Sequence, residues 1–184
     1  DKSWVVAATD GGVQVVHQED GTEFARLGCG LWYRGYDVER GNGTRVNLAF
    51  RGNGGMDSFQ AEGEALLRLL RREDRGTPLA ILYDTDSVIQ KVRSQTRGFG
   101  APSSHDPKLR PVVKMILEEL SLRKGTTAVV KMKSHADCLG NFGADQLADE
   151  GVKKEDAEAD KWRPEDEGDL GYMTLGPEGE AGGE

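Results

Sequence analysis

Four separate stretches of this chain each deliver one carboxylate that could do chemistry. Asp10 follows the β-prone run Ser3–Thr9, Glu62 lies in an amphipathic pattern, Asp86 follows the apolar run Leu79–Tyr83, and Asp145 lies in a late helical stretch. Hard divalent cations want oxygen ligands, and Mg²⁺ in particular is held by a few carboxylates together with substrate phosphate. Two such ions a few Å apart can activate a water and stabilise the leaving oxygen of a phosphodiester. Taken singly, each acid is more often a helix cap or a solvated charge. Four of them in a β-β-β-α-β-α-α-β-α order make a sharper signal.

The elements that must position them can be read from pattern. Leu79–Tyr83 is five unbroken apolar residues after Pro78, which suits a central parallel strand buried on both faces. It ends in Asp84-Thr85-Asp86, and Ser87 can cap the short amphipathic turn Val88–Val92. Acids at the carboxyl end of such a strand stand where α/β sheets keep their active sites. Upstream, Ser3–Thr9, Phe24–Gly35 and Thr44–Phe50 read as three strands of an antiparallel meander, with turns at Asp20-Gly21 and Gly41-Asn42-Gly43. Gly11 and Gly12 free the backbone just after Asp10.

Asp57, with Gln60 three residues on, caps a helix whose face carries Phe59, Glu62, Leu66, Leu69 and Leu70. That places Glu62 in the apolar stripe and turns Glu64 elsewhere. An acid on a buried face is costly unless it is paired or holds a metal, so Glu62 is the informative glutamate. Ser94–Asp106 reads as a loop, and Pro111 opens a helix with Leu109, Val112, Val113, Ile116 and Leu120 on its apolar face. Thr126–Met132 is a last strand. A loop carrying His135 follows, then a helix on which Asn141, Asp145, Ala148 and Val152 share one face, with Asn141 equally readable as its cap.

At 184 residues the chain holds one domain and some excess. No apolar run approaches a membrane span, and no signal peptide is present, so no membrane partner is expected. Cys29 and Cys138 show neither zinc spacing nor a disulfide framework, which fits an intracellular setting, cytoplasm or nucleus. The net charge of -8 resides in Lys154–Glu184, with eleven acids against three bases, leaving 21 of each sign in the rest. Residues 1–153 are therefore expected to form the domain and 154–184 an acidic, disordered tail. Starting at Asp1 without a methionine fits a piece of a longer polypeptide.

The motifs resemble the ribonuclease H type 1 family over roughly residues 3–153. Thr9-Asp10-Gly11-Gly12 is similar to its first-strand motif, and Ser58-Phe59-Gln60-Ala61-Glu62 to its first-helix motif in the form common beside reverse transcriptases. Thr85-Asp86-Ser87 resembles the strand-four motif. Lys133-Ser134-His135 followed by Gly140-Asn141-Phe142-Gly143-Ala144-Asp145-Gln146-Leu147-Ala148 resembles the terminal loop and helix, and this last pattern is the specific one. The resemblance implies an α/β, RNase H-like fold. Its sheet would be mixed and five-stranded, an antiparallel trio plus parallel strands, flanked by helices. It also implies two Mg²⁺ ions, with Mn²⁺ as substitute, and hydrolysis of the RNA strand of an RNA/DNA hybrid.

Carried over by position, Asp10 would bridge both ions. Glu62 would hold one and approach the ribose 2′-OH, and Asp86 and Asp145 would complete the shell. His135 would assist proton transfer or product departure. Asn141, Ser58 and Gln60 are candidate substrate contacts, with Gly11 and Gly12 beside them. Of the two acids after the central strand, the resemblance assigns the ion to Asp86, so Asp86→Asn should be inactive and Asp84→Asn should retain rate.

One departure shapes the expected setting. Many free-standing members carry a basic, tryptophan-bearing protrusion before the long helix. Here Arg93–Arg110 has four cations and no Trp. Backbone affinity comes largely from cations on phosphates, so the domain should grip a hybrid weakly alone. That favours a module of a retroelement or reverse-transcriptase polyprotein, with its other domains as partners. The rivals are a non-catalytic scaffold or nucleic-acid binder of the same fold, and a DNA-directed nuclease of the broader superfamily. A glycosyltransferase reading of Asp84-Thr85-Asp86 explains neither Glu62 nor the 135–148 motif.

Overall fold

The computed structural model describes residues 4–34, 48–51, 57–84, 87–96, 110–132 and 139–154. A mixed sheet runs through it in the order β3-β2-β1-β4-β5. β1 (Val5–His17) and β2 (Glu23–Tyr33) form a long antiparallel hairpin, with β3 (Leu48–Arg51) antiparallel on the far side of β2. β4 (Leu79–Tyr83) and β5 (Thr127–Lys131) add in parallel on the other side of β1. The helices are α1 (Ser58–Arg72), α2 (Ser87–Thr96), α3 (Pro111–Leu122) and α4 (Leu139–Lys153). Because α2 continues to Thr96, the first residues of the expected 94–106 loop are helical. The 41–43 turn and the acidic tail lie outside the described residues.

The central strand occupies the residues its apolar run marks out, but its two faces differ. Leu79, Ile81 and Tyr83 are buried, while Ala80 and Leu82 are only half-buried. The helices explain this asymmetry. α1 packs on one face with α3 behind it, and α4 covers β3, β2 and β1 on the other while barely reaching β4. A strand that looks doubly buried in sequence is sealed on one side only.

β1 departs most from expectation. It does not stop at Asp10 but continues through Gly11-Gly12 to His17, so Asp10 lies mid-strand. Glycine normally weakens a strand, yet here both helices press their backbones onto the sheet at glycines. A Cβ on Gly11 would lie 2.2 Å from the backbone of Ala61 and Glu62. On the opposite face, a Cβ on Gly28 would lie 2.0 Å from the Ala148 carbonyl oxygen, and one on Gly30 2.0 Å from that of Ala144. The glycines let α1 and α4 approach closely from either side of the hairpin. Gly30→Ala should therefore lift α4 and destabilise the protein by ~1–3 kcal/mol or more, read as a lower denaturant midpoint. An unchanged midpoint would show that α4 is not seated on β2 in this way.

α1 is buried almost all round, and this overturns the expected division of its glutamates. Glu64 is 0% exposed and Arg68 1%, whereas Glu62 is half-buried. The buried glutamate is paired: Arg68 Nη2 lies 3.9 Å from Glu64 Oε2, one helical turn along, and the Gln60 amide lies 3.5 Å from Glu64 Oε1. Stripe counting fails here because α1 is sandwiched between the sheet and α3, where Val112 packs against Gly63. Asp57 caps the helix as expected, its Oδ1 accepting from the Gln60 N–H at 2.9 Å.

Candidate functional site

Asp10 is where the site is built. Side chains alternate along a strand, so Asp10 shares a face with Ala8 and Gly12. That is the α4 face, since Gly140 lies against Ala8 and Gly12 against Ala148. Parallel pairing of β1 with β4 is last registered at Ala8 with Leu82. Two residues further on each strand, Asp10 and Asp84 come level. Asp10 thus stands beyond the end of β4, with its other flank paired to Gly30.

The electrostatics agree with that register. Burial pushes the Asp10 carboxyl up to about 7, against an ordinary value of 3.8. The Gly11 N–H bonds to it and pulls the other way, while the charges of Asp84, Asp145 and Glu62 add to the rise, Asp84 first. A carboxylate held in a partly dry site among three others ionises only against their combined field. Asp84→Asn should therefore move the pH at which Asp10 titrates downward in metal-free protein. Carboxyl NMR of Asp10 reads this directly, and an unmoved midpoint would place Asp84 outside its field.

Asp84 reaches the site with help from α4. Asn141 Nδ2 donates to Asp84 Oδ2 at 3.2 Å, linking the end of β4 to the first turn of α4. Asn141 is therefore not the helix cap expected of it, because α4 begins two residues earlier at Leu139. Asp145 lies one turn further on. It is exposed and sits beside the buried stripe of Gly140, Ala144, Ala148, Gly151 and Val152, not inside it. Trp32 fixes the height of this turn, since Cβ atoms on Gly140 and Gly143 would lie 3.1 and 2.4 Å from its ring.

Glu62 comes from α1, on the other side of β1, and lines a small cleft with Thr9, Leu66, Tyr83, Val88 and Ile89. Gly11 permits this by letting the Ala61–Glu62 backbone close onto the strand. Gly11 is thus a packing position under α1, and Gly12 lies at ordinary contact distance from α4. Ser58 is exposed at the start of α1, whereas Gln60 is 8% exposed and turned to Glu64. Gln60 is therefore largely buried, with its side-chain amide directed to Glu64. The start of α1 is also tied to the start of α3. Arg110 Nη1 lies 2.9 Å from Asp57 Oδ2, and this contact holds the Asp57 carboxyl below its usual range. The Arg110 guanidinium also stacks 4.7 Å from the Phe59 ring.

Asp86 and His135 lie outside the described residues. Asp10, Glu62 and Asp145 are brought into one electrostatic neighbourhood, and Asp84 joins them. Sequence reasoning placed Asp84 second to Asp86. No signal in the sequence ranks the two, and it is the parallel register that sets Asp84 level with Asp10. Among the described residues no three such side chains close around a common point as a metal cage. In chemistry, though, the oxygen-only donor set and the strained ionisation of Asp10 fit a hard divalent cation. Cys29 fits no such role. It is fully buried against the Ala61 carbonyl and Glu64, and burial pushes its thiol far up.

No family model matches the chain, and no curated protein matches it. A solved structure described as a foamy viral protease-reverse transcriptase in complex with dsDNA superposes with a TM-score of 0.57 at 20% identity, covering 81% of this chain and 94% of that one. The likeness is one of fold. It joins the mixed sheet and its helices to an architecture found in a protein of reverse transcription. No helix among the described residues is long and apolar enough to cross a membrane.

Proposed function

We propose that the chain is an RNase H-like module that hydrolyses the RNA strand of RNA/DNA hybrids with divalent cations, in the setting of a reverse-transcriptase or retroelement polyprotein. The observation that carries this is Asp10, a partly buried carboxylate in the combined field of Asp84, Asp145 and Glu62 beyond the end of β4. The motifs around Asp10, Glu62, Asp86, His135 and Asn141–Ala148 and the fold likeness support the same reading.

Asp10, Glu62, Asp145 and Asp86 would hold two Mg²⁺ ions, with Asp84 as the rival to Asp86. Such ions would supply an activated water and charge stabilisation at the leaving oxygen. The chain's own residues do the rest. Gly11 and Gly30 let α1 and α4 bring Glu62 and Asp145 close to Asp10. Asn141 orients Asp84. His135 is assigned to proton transfer or product departure. Protons compete with cations at Asp10, so metal affinity should rise with pH up to about 7.

The test is cleavage of labelled RNA/DNA hybrid, double-stranded RNA and double-stranded DNA with Mg²⁺, Mn²⁺, Ca²⁺ or excess chelator. Cutting of the hybrid alone with Mg²⁺ or Mn²⁺ is expected, with Ca²⁺ bound but supporting little turnover because its looser coordination misplaces the attacking water. Strong cleavage in chelator would sink the cation mechanism. Hybrid binding without cleavage in any cation would favour the scaffold reading.

A further inference from the structure

β2 turns Gly28, Gly30 and Trp32 toward α4, since every second residue of a strand shares a face. The helix meets the three differently. At Gly28 and Gly30 its backbone lies directly on the strand, at the carbonyls of Ala148 and Ala144. At Trp32 a half-buried indole stands between helix and strand. A Cβ on Gly140 would lie 3.1 Å from Cε3 and Cζ3 of its six-membered ring, and one on Gly143 would run into Cδ1 and Nε1 of its five-membered ring. The first turn of α4 thus lies along the indole, with a glycine at each end. The methyl of Ala8, paired opposite Trp32, supports the same turn from β1, 3.4 Å from the Gly140 position. The indole acts as a wedge: later turns of α4 touch the strand, and the first is held off it.

What the wedge carries is the flank of α4 that looks at the acid site. Asn141 lies between the two glycines and donates to Asp84 Oδ2 at 3.2 Å. That is the long end of the range for such a bond, so a shift of about 0.5 Å breaks it. Asp145, one turn on, is the acid of the same helix whose charge reaches Asp10. Pairing within β2 needs no indole at position 32, and its bulk matters for the height and tilt of the helix above. We propose that Trp32 is a positioning residue for hydrolysis, setting the tilt of α4 and with it the place of Asn141 and Asp145 against Asp84 and Asp10. This rests on the function proposed above and names the residue of β2 on which that site's geometry depends.

The test uses the full chain and two readouts, the side-chain amide of Asn141 by NMR in metal-free buffer and initial rates on labelled RNA/DNA hybrid with Mg²⁺. Trp32→Ala removes the wedge, and Gly143→Ala drives the helix off it, so the two disturb one seat from opposite sides. In both, the Asn141 amide protons should move to the position they take in Asp84→Ala, where the bond has no acceptor. Their kcat should fall about tenfold while KM for the hybrid stays within about threefold, because misplaced groups cost the transition state more than the bound substrate. Trp32→Phe keeps a flat ring under the turn and should hold the amide shift, with kcat within about threefold of the parent. Should Trp32→Ala fail to fold, Gly143→Ala carries the test. An Asn141 amide that stays put in these variants, or a Trp32→Phe as slow as Trp32→Ala, overturns the proposal. If the parent cleaves hybrid and the folded variants keep kcat within about twofold, the role of Trp32 fails and the functional reading stands. If the parent cleaves no hybrid, the functional reading fails and takes this role with it.

Discussion

Asp10→Asn is expected to abolish hybrid hydrolysis and, in metal-free buffer at pH 8, to raise the melting temperature. Both effects come from the same carboxyl. In the folded protein it titrates near 7, raised by burial and then by Asp84, Asp145 and Glu62, while the ordinary value is 3.8. Between those two pH values the unfolded chain has lost a proton that the folded chain keeps. The contribution of Asp10 to stability is therefore whole below about pH 4, declines as pH rises and is exhausted above about 7. The full swing is on the order of 4 kcal/mol, a large part of a small domain's stability. Asparagine cannot ionise, so the variant should lack this decline. The two proteins should melt close together at pH 4 and separate at pH 8. Added Mg²⁺ should raise the parent's melting temperature by mass action and leave the variant nearly unmoved. A variant that melts below the parent at pH 8 without metal would show that the acids around Asp10 are not crowded.

How much of this was legible in the residues depends on where the information lies. Leu79–Tyr83 could be read because a fully apolar run between Pro78 and an acidic turn has few other homes, and the strand keeps those bounds. The Asp57 cap and Pro111 at the head of α3 are local effects, visible within four residues. What could not be read is set by partners far away in sequence. Gly11-Gly12 looks like a break in a strand, yet the strand runs on, paired to Cys29 and Gly28, and the helices close over Gly11, Gly12, Gly28 and Gly30. Glu64 looks solvated on a helical wheel drawn for a helix with one buried face, and α1 has more than one. Asp84 and Asp86 share strand parity, so sequence alone cannot rank them by face. It takes the register with β1 to bring Asp84 level with Asp10.

A single ribonucleotide embedded in duplex DNA should be cut orders of magnitude more slowly than a run of ribonucleotides paired to DNA. A protein tells RNA from DNA at a given site through the 2′-OH, which both donates and accepts hydrogen bonds. Glu62 is the proposed ligand placed to meet that hydroxyl. It lies at the lip of a cleft on the α1 side of β1, while Asp10, Asp84 and Asn141 work from the α4 side. A substrate phosphate drawn to Asp10 from the α4 side would bring the adjoining sugar across the end of β4 toward Glu62. Recognition along a strand that crosses from one helix to the other needs hydroxyls on more than one nucleotide. A lone ribonucleotide offers one, and a deoxy sugar 5′ of the scissile phosphate removes the one nearest the acids. Each missing hydrogen bond to a partly buried polar group costs ~1–3 kcal/mol, so two missing together at ~2 kcal/mol each suppress cleavage by a factor of ~10³. The comparison is of initial rates on the two substrates at matched concentration and low salt, with Glu62→Gln as the companion variant. Glu62→Gln keeps a hydrogen-bonding side chain while removing the charge, so any residual cutting should still prefer the ribonucleotide run. Equal rates on both substrates for the parent would assign the site to a nuclease that does not count hydroxyls, and would leave the carboxylates as its only shared feature with the function proposed.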